Sequence, residues 1–164
     1  MKTLPLIAFV CVVLALTGAD ARKHLIKRYR YCPGWSQYKG RCFLFIPTPM
    51  TWARAEKNCQ SLGGNLASVH NVFEYHAIQR LILRRTHAYP PTWIGGSDGE
   101  EERLWLWSDG TPFRYSNWCP GEPNNLGTIW GRQNCMQMNF GGSKCWDDNY
   151  CNVRRPSVCS KKFR

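Results

Sequence analysis

The sequence predicts an α+β fold with two helices, small antiparallel sheets and a long loop region, stapled by disulfides. Three observations carry this prediction. Two segments repeat apolar residues at helical spacing. Short runs of Trp, Ile, Phe and Leu sit between turn residues, as strands do. Nine cysteines occur in 164 residues. The 43% of hydrophobic residues against 20% of charged ones is enough apolar material for a core, and the length is that of one domain.

Taken in order, the chain opens with Lys2, a nearly all-apolar run from Leu4 to Leu16, and Ala19-Asp20-Ala21. This is the layout of a secretory signal peptide over residues 1–21, cleaved after Ala21 with Ala19 as second choice. The run is shorter than the roughly 20 residues of a spanning helix, so no integral membrane segment is expected after removal. Cleavage takes Cys11 and leaves Cys32, Cys42, Cys59, Cys119, Cys135, Cys145, Cys151 and Cys159. An even count in a secreted, extracellular chain reads as a disulfide framework whose connectivity spacing alone does not choose. No Cys-x2-Cys pair or Cys/His cluster suggests zinc.

Residues 22–30 form a basic arm with five positive charges and no acid, part of a net charge of +11. The arm reads as a propeptide, a patch for anionic surfaces, or a solvated terminus. The domain proper is expected over 31–164. Strands flank a turn at Lys39-Gly40, with Tyr38, Phe43, Phe45 and Ile46 as strand formers. A helix is expected from Thr51, its N-cap, to about Leu62, with Trp52, Ala55, Cys59 and Leu62 on one face and Gly63-Gly64 ending it. Residues 65–69 read as a short buried strand. A second helix starts at Asn71 with Glu74 completing a capping box, and Phe73, Ala77 and Leu81 form its apolar stripe. It ends before Tyr89-Pro90-Pro91. Strands follow at Thr92–Gly95, Leu104–Trp107, 135–140 and 156–160. Residues 108–134 are rich in Gly, Pro, Asn, Ser and Asp. So long an irregular segment, carrying Trp118, Cys119 and Trp130, reads as ordered and functional.

The order of motifs then becomes specific: Cys-Pro-x-Trp at 32–35, Cys-Phe at 42–43, Trp-Ile-Gly-Gly at 93–96, Trp-Cys-Pro-Gly-Glu-Pro-Asn at 118–124, Asn-Cys-Met-Gln-Met at 134–138 and Cys-Trp-Asp-Asp at 145–148. This pattern resembles the C-type lectin domain, and in its last third the secreted single-domain lectins of fish, including type II antifreeze proteins. The resemblance implies the pairs Cys32–Cys42, Cys59–Cys159, Cys135–Cys151 and Cys119–Cys145. It also implies one Ca²⁺ site, held by the side chains of Glu122, Asn124, Gln133, Asp147 and Asp148 and by the Asp148 carbonyl, with a cis bond before Pro123. Such an ion needs six to eight oxygens, several of them anionic. Two vicinal sugar hydroxyls would coordinate it while hydrogen-bonding its ligands.

The first ligand pair, Glu122/Asn124, has the mannose-type form. The second pair is usually Glu and Asn, and here it is Gln133 and Asp147, so acid and amide exchange places. The anionic count is unchanged, but a carboxylate only accepts whereas an amide also donates. Mannose preference is therefore expected to weaken or change. The acids of an auxiliary calcium site found in some relatives are replaced by Asn125, Gln133 and Asn134, hence the expectation of a single site. Trp130 is the candidate for exposed sugar contact, with Trp118 and Trp146 expected in the loop core.

The expected function is calcium-dependent binding of glycans on microbial or cell surfaces in innate defence, by a binding module and not an enzyme. An ice-binding protein on the same scaffold and a membrane-active antimicrobial protein driven by the arm are the rivals. Gly95-Gly-Ser-Asp-Gly99 matches a nucleophile elbow by chance, since no His follows His87. The secretory route and disulfides argue against nucleic acid as a partner. A single site agglutinates cells only if chains associate, so a homo-oligomer stays open.

Overall fold

The computed structural model describes residues 32–126 and 131–163, and residues 34–162 make one body. The leader, the basic arm and Trp130 lie outside the described residues. The elements run β1 (Ser36–Tyr38), β2 (Arg41–Met50), α1 (Trp52–Ser61), β3 (Asn65–Leu66), α2 (Val72–Thr86), β4 (Thr92–Ser97), β5 (Leu106–Trp107), β6 (Cys135–Phe140), β7 (Cys145–Asn149) and β8 (Arg155–Lys162). The strands order as β1-β2-β8-β4-β6-β7, with β3 also on β8 and β5 on β4. Lys39 and Gly40 have φ of 41° and 83°, the left-handed pair that a two-residue hairpin needs.

Helix α1 starts at Thr51 as expected, although that side chain caps nothing. Its buried face is Ala55, Glu56 and Cys59, while Leu62, already past the last turn, is 39% exposed. The expected strand over 65–69 pairs only at Asn65 and Leu66. Beyond it, Ala67 donates to the Val158 carbonyl and accepts from the Gly95 amide. Strand β7 is an element the sequence reading took only as a motif.

Helix α2 is capped by Asn71, whose side chain accepts from the Glu74 amide at 3.0 Å. Of the expected stripe, Leu81 is buried and Ala77 half-buried, but Phe73 is 63% exposed, and the helix also buries Glu74, Tyr75, Ile78 and Ile82. The reason is a buried ion pair. Arg41 Nη1 donates to Glu74 Oε2 at 2.9 Å, and the same guanidinium reaches Ser68 and Ser160. Anchoring Glu74 turns the row Glu74–Ile78–Ile82 inward, and an acid at the head of that row hides it from an apolar pattern.

Glu56 is another buried charge. Its two oxygens accept from Gln60, Asn65, the Leu66 amide and Ser108, tying α1 to β3 and to the residue after β5. Gly95 is demanded by close approach, since a Cβ there would lie 2.7 Å from the Leu66 carbonyl oxygen and 2.8 Å from Ser108 Oγ. Gly95→Ala is expected to cost about 1–3 kcal/mol. Denaturant unfolding checks this, and an unchanged midpoint contradicts it.

The larger core centres on Trp146, fully buried, with Tyr75, Trp107, Tyr115 and Trp118 set edge-on around it at centroid distances of 5.6–6.2 Å. Edge-to-face contacts of this kind favour one arrangement of the loop over others.

Candidate metal centre

The site is built where the long loop meets β7. Trp146 donates to the Asn117 carbonyl and accepts from the Cys119 amide, and the Cys119–Cys145 disulfide fastens the same junction. A second disulfide, Cys135–Cys151, joins the start of β6 to the segment after β7. Asp147 and Asp148 thus sit on a strand bridged on both sides. Closing chain segments of this size limits the unfolded chain by about 3 kcal/mol each. Cys59 pairs with Cys159, and Cys32 and Cys42 are also disulfide-bonded.

Carboxylate oxygens of Glu122, Asp147 and Asp148 lie within 4.8 Å of one another. The Glu122–Pro123 bond is cis. Asp148 is 1% exposed, and its two oxygens accept the amides of Asn124 at 3.0 Å and Asn125 at 2.8 Å. That carboxylate therefore shapes the turn that presents Glu122 and Asn124. Asn124 donates to Glu122 Oε1 at 2.7 Å and accepts from the Leu126 amide, its oxygen keeping a second lone pair. Asp147 Oδ2 accepts from Gln137 Nε2 at 2.6 Å. Gln137 is a member that the sequence reading missed. Its place opposite Asp147 in the β6–β7 register is a long-range fact of strand pairing.

Three carboxylates this close repel one another. Burial foremost, and then hydrogen bonding and charge from Asp148 and Asp147, push Glu122 up to about 7. Asp147 is also raised, by burial first and by the Asp148 charge, against the lowering hydrogen bond from Gln137.

With the carboxylates ionised, three buried oxygens of these residues, Glu122 Oε2, Gln133 Oε1 and Gln137 Oε1, receive no donor from the described residues. Buried acceptors are rarely left so, and an ion is one of the ordinary reasons. Those of Glu122 and Gln133 belong to the ligand set that the resemblance implies. The donor chemistry fits Ca²⁺: three anionic oxygens, two amide oxygens and a carbonyl reach the low end of its coordination number.

Beside the cluster lies a cleft of about 320 Å³ that includes Pro123, Asn124 and Asp148 on its walls. Here the amides of Asn125 and Asn134 are spent on Glu102 and Asp98, at 2.6 and 2.9 Å. Arg132 adds an ion pair to Glu102 at 3.0 Å. These two acids are held by donors of the chain itself. Ser97, from the chance elbow match, donates to the Asn134 carbonyl at the end of β4, with no helix following.

A strand-paired core with two helices, closed by disulfides where a long loop and strand β7 bring three carboxylates together, is the architecture of a C-type lectin domain. The chain belongs to that family: the model of the Lectin C-type domain matches residues 48–161. It is similar to ladderlectin of Oncorhynchus mykiss, 43% identical over 91% of this chain and 77% of that one. It is also similar to a type-2 ice-structuring protein of Osmerus mordax, 38% identical over 93% of this chain and 89% of the other. Among solved structures, the herring type II antifreeze protein superposes with a TM-score of 0.72 at 38% identity, covering 81% of this chain and all of that one. Both the lectins and the ice-binding proteins of fish are thus relatives.

Proposed function

We propose that this protein is a secreted, calcium-dependent carbohydrate-binding lectin that recognises glycans on microbial or cell surfaces in innate defence. The observation that carries the reading is the convergence of the Glu122, Asp147 and Asp148 carboxylates, with buried oxygens of Glu122 and Gln133 left without a donor. Glu122, Asn124, Gln133, Asp147 and Asp148 would hold the ion, which when bound supplies coordination positions for a vicinal diol. The side chains do the remaining work. Asp148 fixes the 122–125 turn, Gln137 orients Asp147, and the Glu122/Asn124 pair offers an acceptor and a donor to the sugar. The second pair offers the reverse polarity, so preference moves away from simple mannose.

A glycan array read with and without chelator tests this. Retention lost on chelation and weak for simple mannose supports it. Chelator-insensitive retention contradicts the calcium role, and strong mannose specificity contradicts the altered preference. The likeness to type-2 ice-structuring proteins favours one second reading, ice binding by the same loop. Thermal hysteresis without sugar retention would replace the first reading by the second.

The raised Glu122 gives a pH dependence. The ion requires the carboxylate, so affinity is full above about pH 7 and declines as pH falls through that value, with protons released on binding. Without calcium the sign for stability is opposite. A carboxyl raised on folding favours the folded state at low pH, and that contribution is lost as pH rises through about 7. Calcium titrations between pH 5 and 8 in buffers of different ionisation heat check the first sign, and denaturant unfolding with chelator over the same range checks the second. Affinity independent of pH contradicts the first.

A further inference from the structure

The stripe that α2 leaves uncovered borders a second feature, away from the residues assigned to calcium. Phe73, Ala77, Arg80 and Arg84 recur at helical spacing along one side of the helix. Next to them opens a groove of about 190 Å³, with Phe43, Leu81 and Tyr38 among its walls and Arg80 and Arg84 at its edge. No acid lines it. The single acid of α2, Glu74, is buried against Arg41. Arg80, Arg84 and Arg85 are exposed and take part in no ion pair among the described residues.

Lys39 extends the positive field, its Nζ lying 5.6 Å from the Phe73 ring and 5.7 Å from that of Tyr38. Phe73 is 63% exposed and its neighbour Val72 41%. Unneutralised cations would satisfy any polyanion. Large exposed apolar groups beside them add something that only a partner with an apolar interior uses. A lipid surface with anionic headgroups offers a partner for both, phosphates for the cations and an acyl boundary for the exposed rings.

We propose that this face of α2 docks on membranes bearing anionic phosphate headgroups, with Arg80, Arg84 and Lys39 on the phosphates and Phe73 entering the acyl boundary. The contact is independent of calcium. A chain with this face and a separate sugar site would bridge a glycan to a membrane surface without forming an oligomer.

Vesicle co-sedimentation of the full chain, with chelator present throughout, tests the proposal and keeps it separate from the calcium reading. Phosphatidylcholine vesicles containing phosphatidylglycerol should retain the protein, and pure phosphatidylcholine vesicles should not. R80Q/R84Q should lower partitioning by about thirtyfold. F73S should lower it by about tenfold. Thermal melts of both variants should match the parent, because the substituted side chains are exposed. Equal binding to neutral vesicles overturns the proposal. So does retention unchanged in both variants but lost on deleting residues 22–30, which would assign binding to the arm. Retention insensitive to F73S and abolished by soluble dextran sulfate would make the groove a polyanion site, and would overturn it as well.

Discussion

Replacing Asp148 by asparagine is expected to abolish calcium-dependent sugar retention and to lower calcium affinity on the order of a hundredfold or more. Two losses combine. One of the three negative charges that face the ion disappears. The remaining amide also cannot accept both backbone donors, because its Nδ2 would confront the N–H of Asn124 or Asn125. The 122–125 turn then loosens together with the Glu122/Asn124 pair it carries. E122Q separates the two effects. It removes a charge but leaves the Asp148 anchor intact, so calcium binding falls while proteolytic protection of the loop stays. Titration calorimetry and limited proteolysis read the pair, and a D148N protein that still binds sugar and releases it to chelator contradicts the assignment.

Glu56→Ala is expected to be strongly destabilising although it lies outside the candidate site. It leaves the buried Leu66 amide and Ser108 hydroxyl without their acceptor and frees Asn65 and Gln60. Losing two such bonds to a charged group costs about 3–4 kcal/mol. For a chain of this size the midpoint should fall by roughly 10 °C. Glu56→Gln should recover part of the loss, since an amide oxygen still accepts. Chemical denaturation with the disulfides intact measures both variants. A loss under about 1 kcal/mol for Glu56→Ala would show that water replaces the carboxylate, contrary to its burial.

Much of this fold is legible because its determinants are local. Lys39-Gly40 takes the left-handed turn such a dipeptide favours, Asn71 caps α2 through the Glu74 amide, and Gly63 follows the end of α1 with φ of 78°. The cysteine frame and the Glu-Pro-Asn and Trp-Asp-Asp motifs became legible through their order along the chain.

What stayed hidden rests on partners distant in sequence. Arg41 and Glu74 are 33 residues apart, and their pairing sets the rotation of α2 that left Phe73 outside. Glu56 and Ser108 are 52 apart. Gln137 supports Asp147 only because β6 pairs with β7 in one register. A reading that places apolar residues inside assigns none of these charged and amide groups to the interior. They are the groups that fix which way the elements face.

We propose that Glu122, Asn124, Gln133, Asp147 and Asp148 form one calcium site. Direct calorimetric titration of Ca²⁺ into the chelator-stripped protein tests it most directly. One ion bound per chain, with proton release near neutral pH, is the expected result. No binding in the wild-type protein, or binding undiminished in D148N, would contradict it.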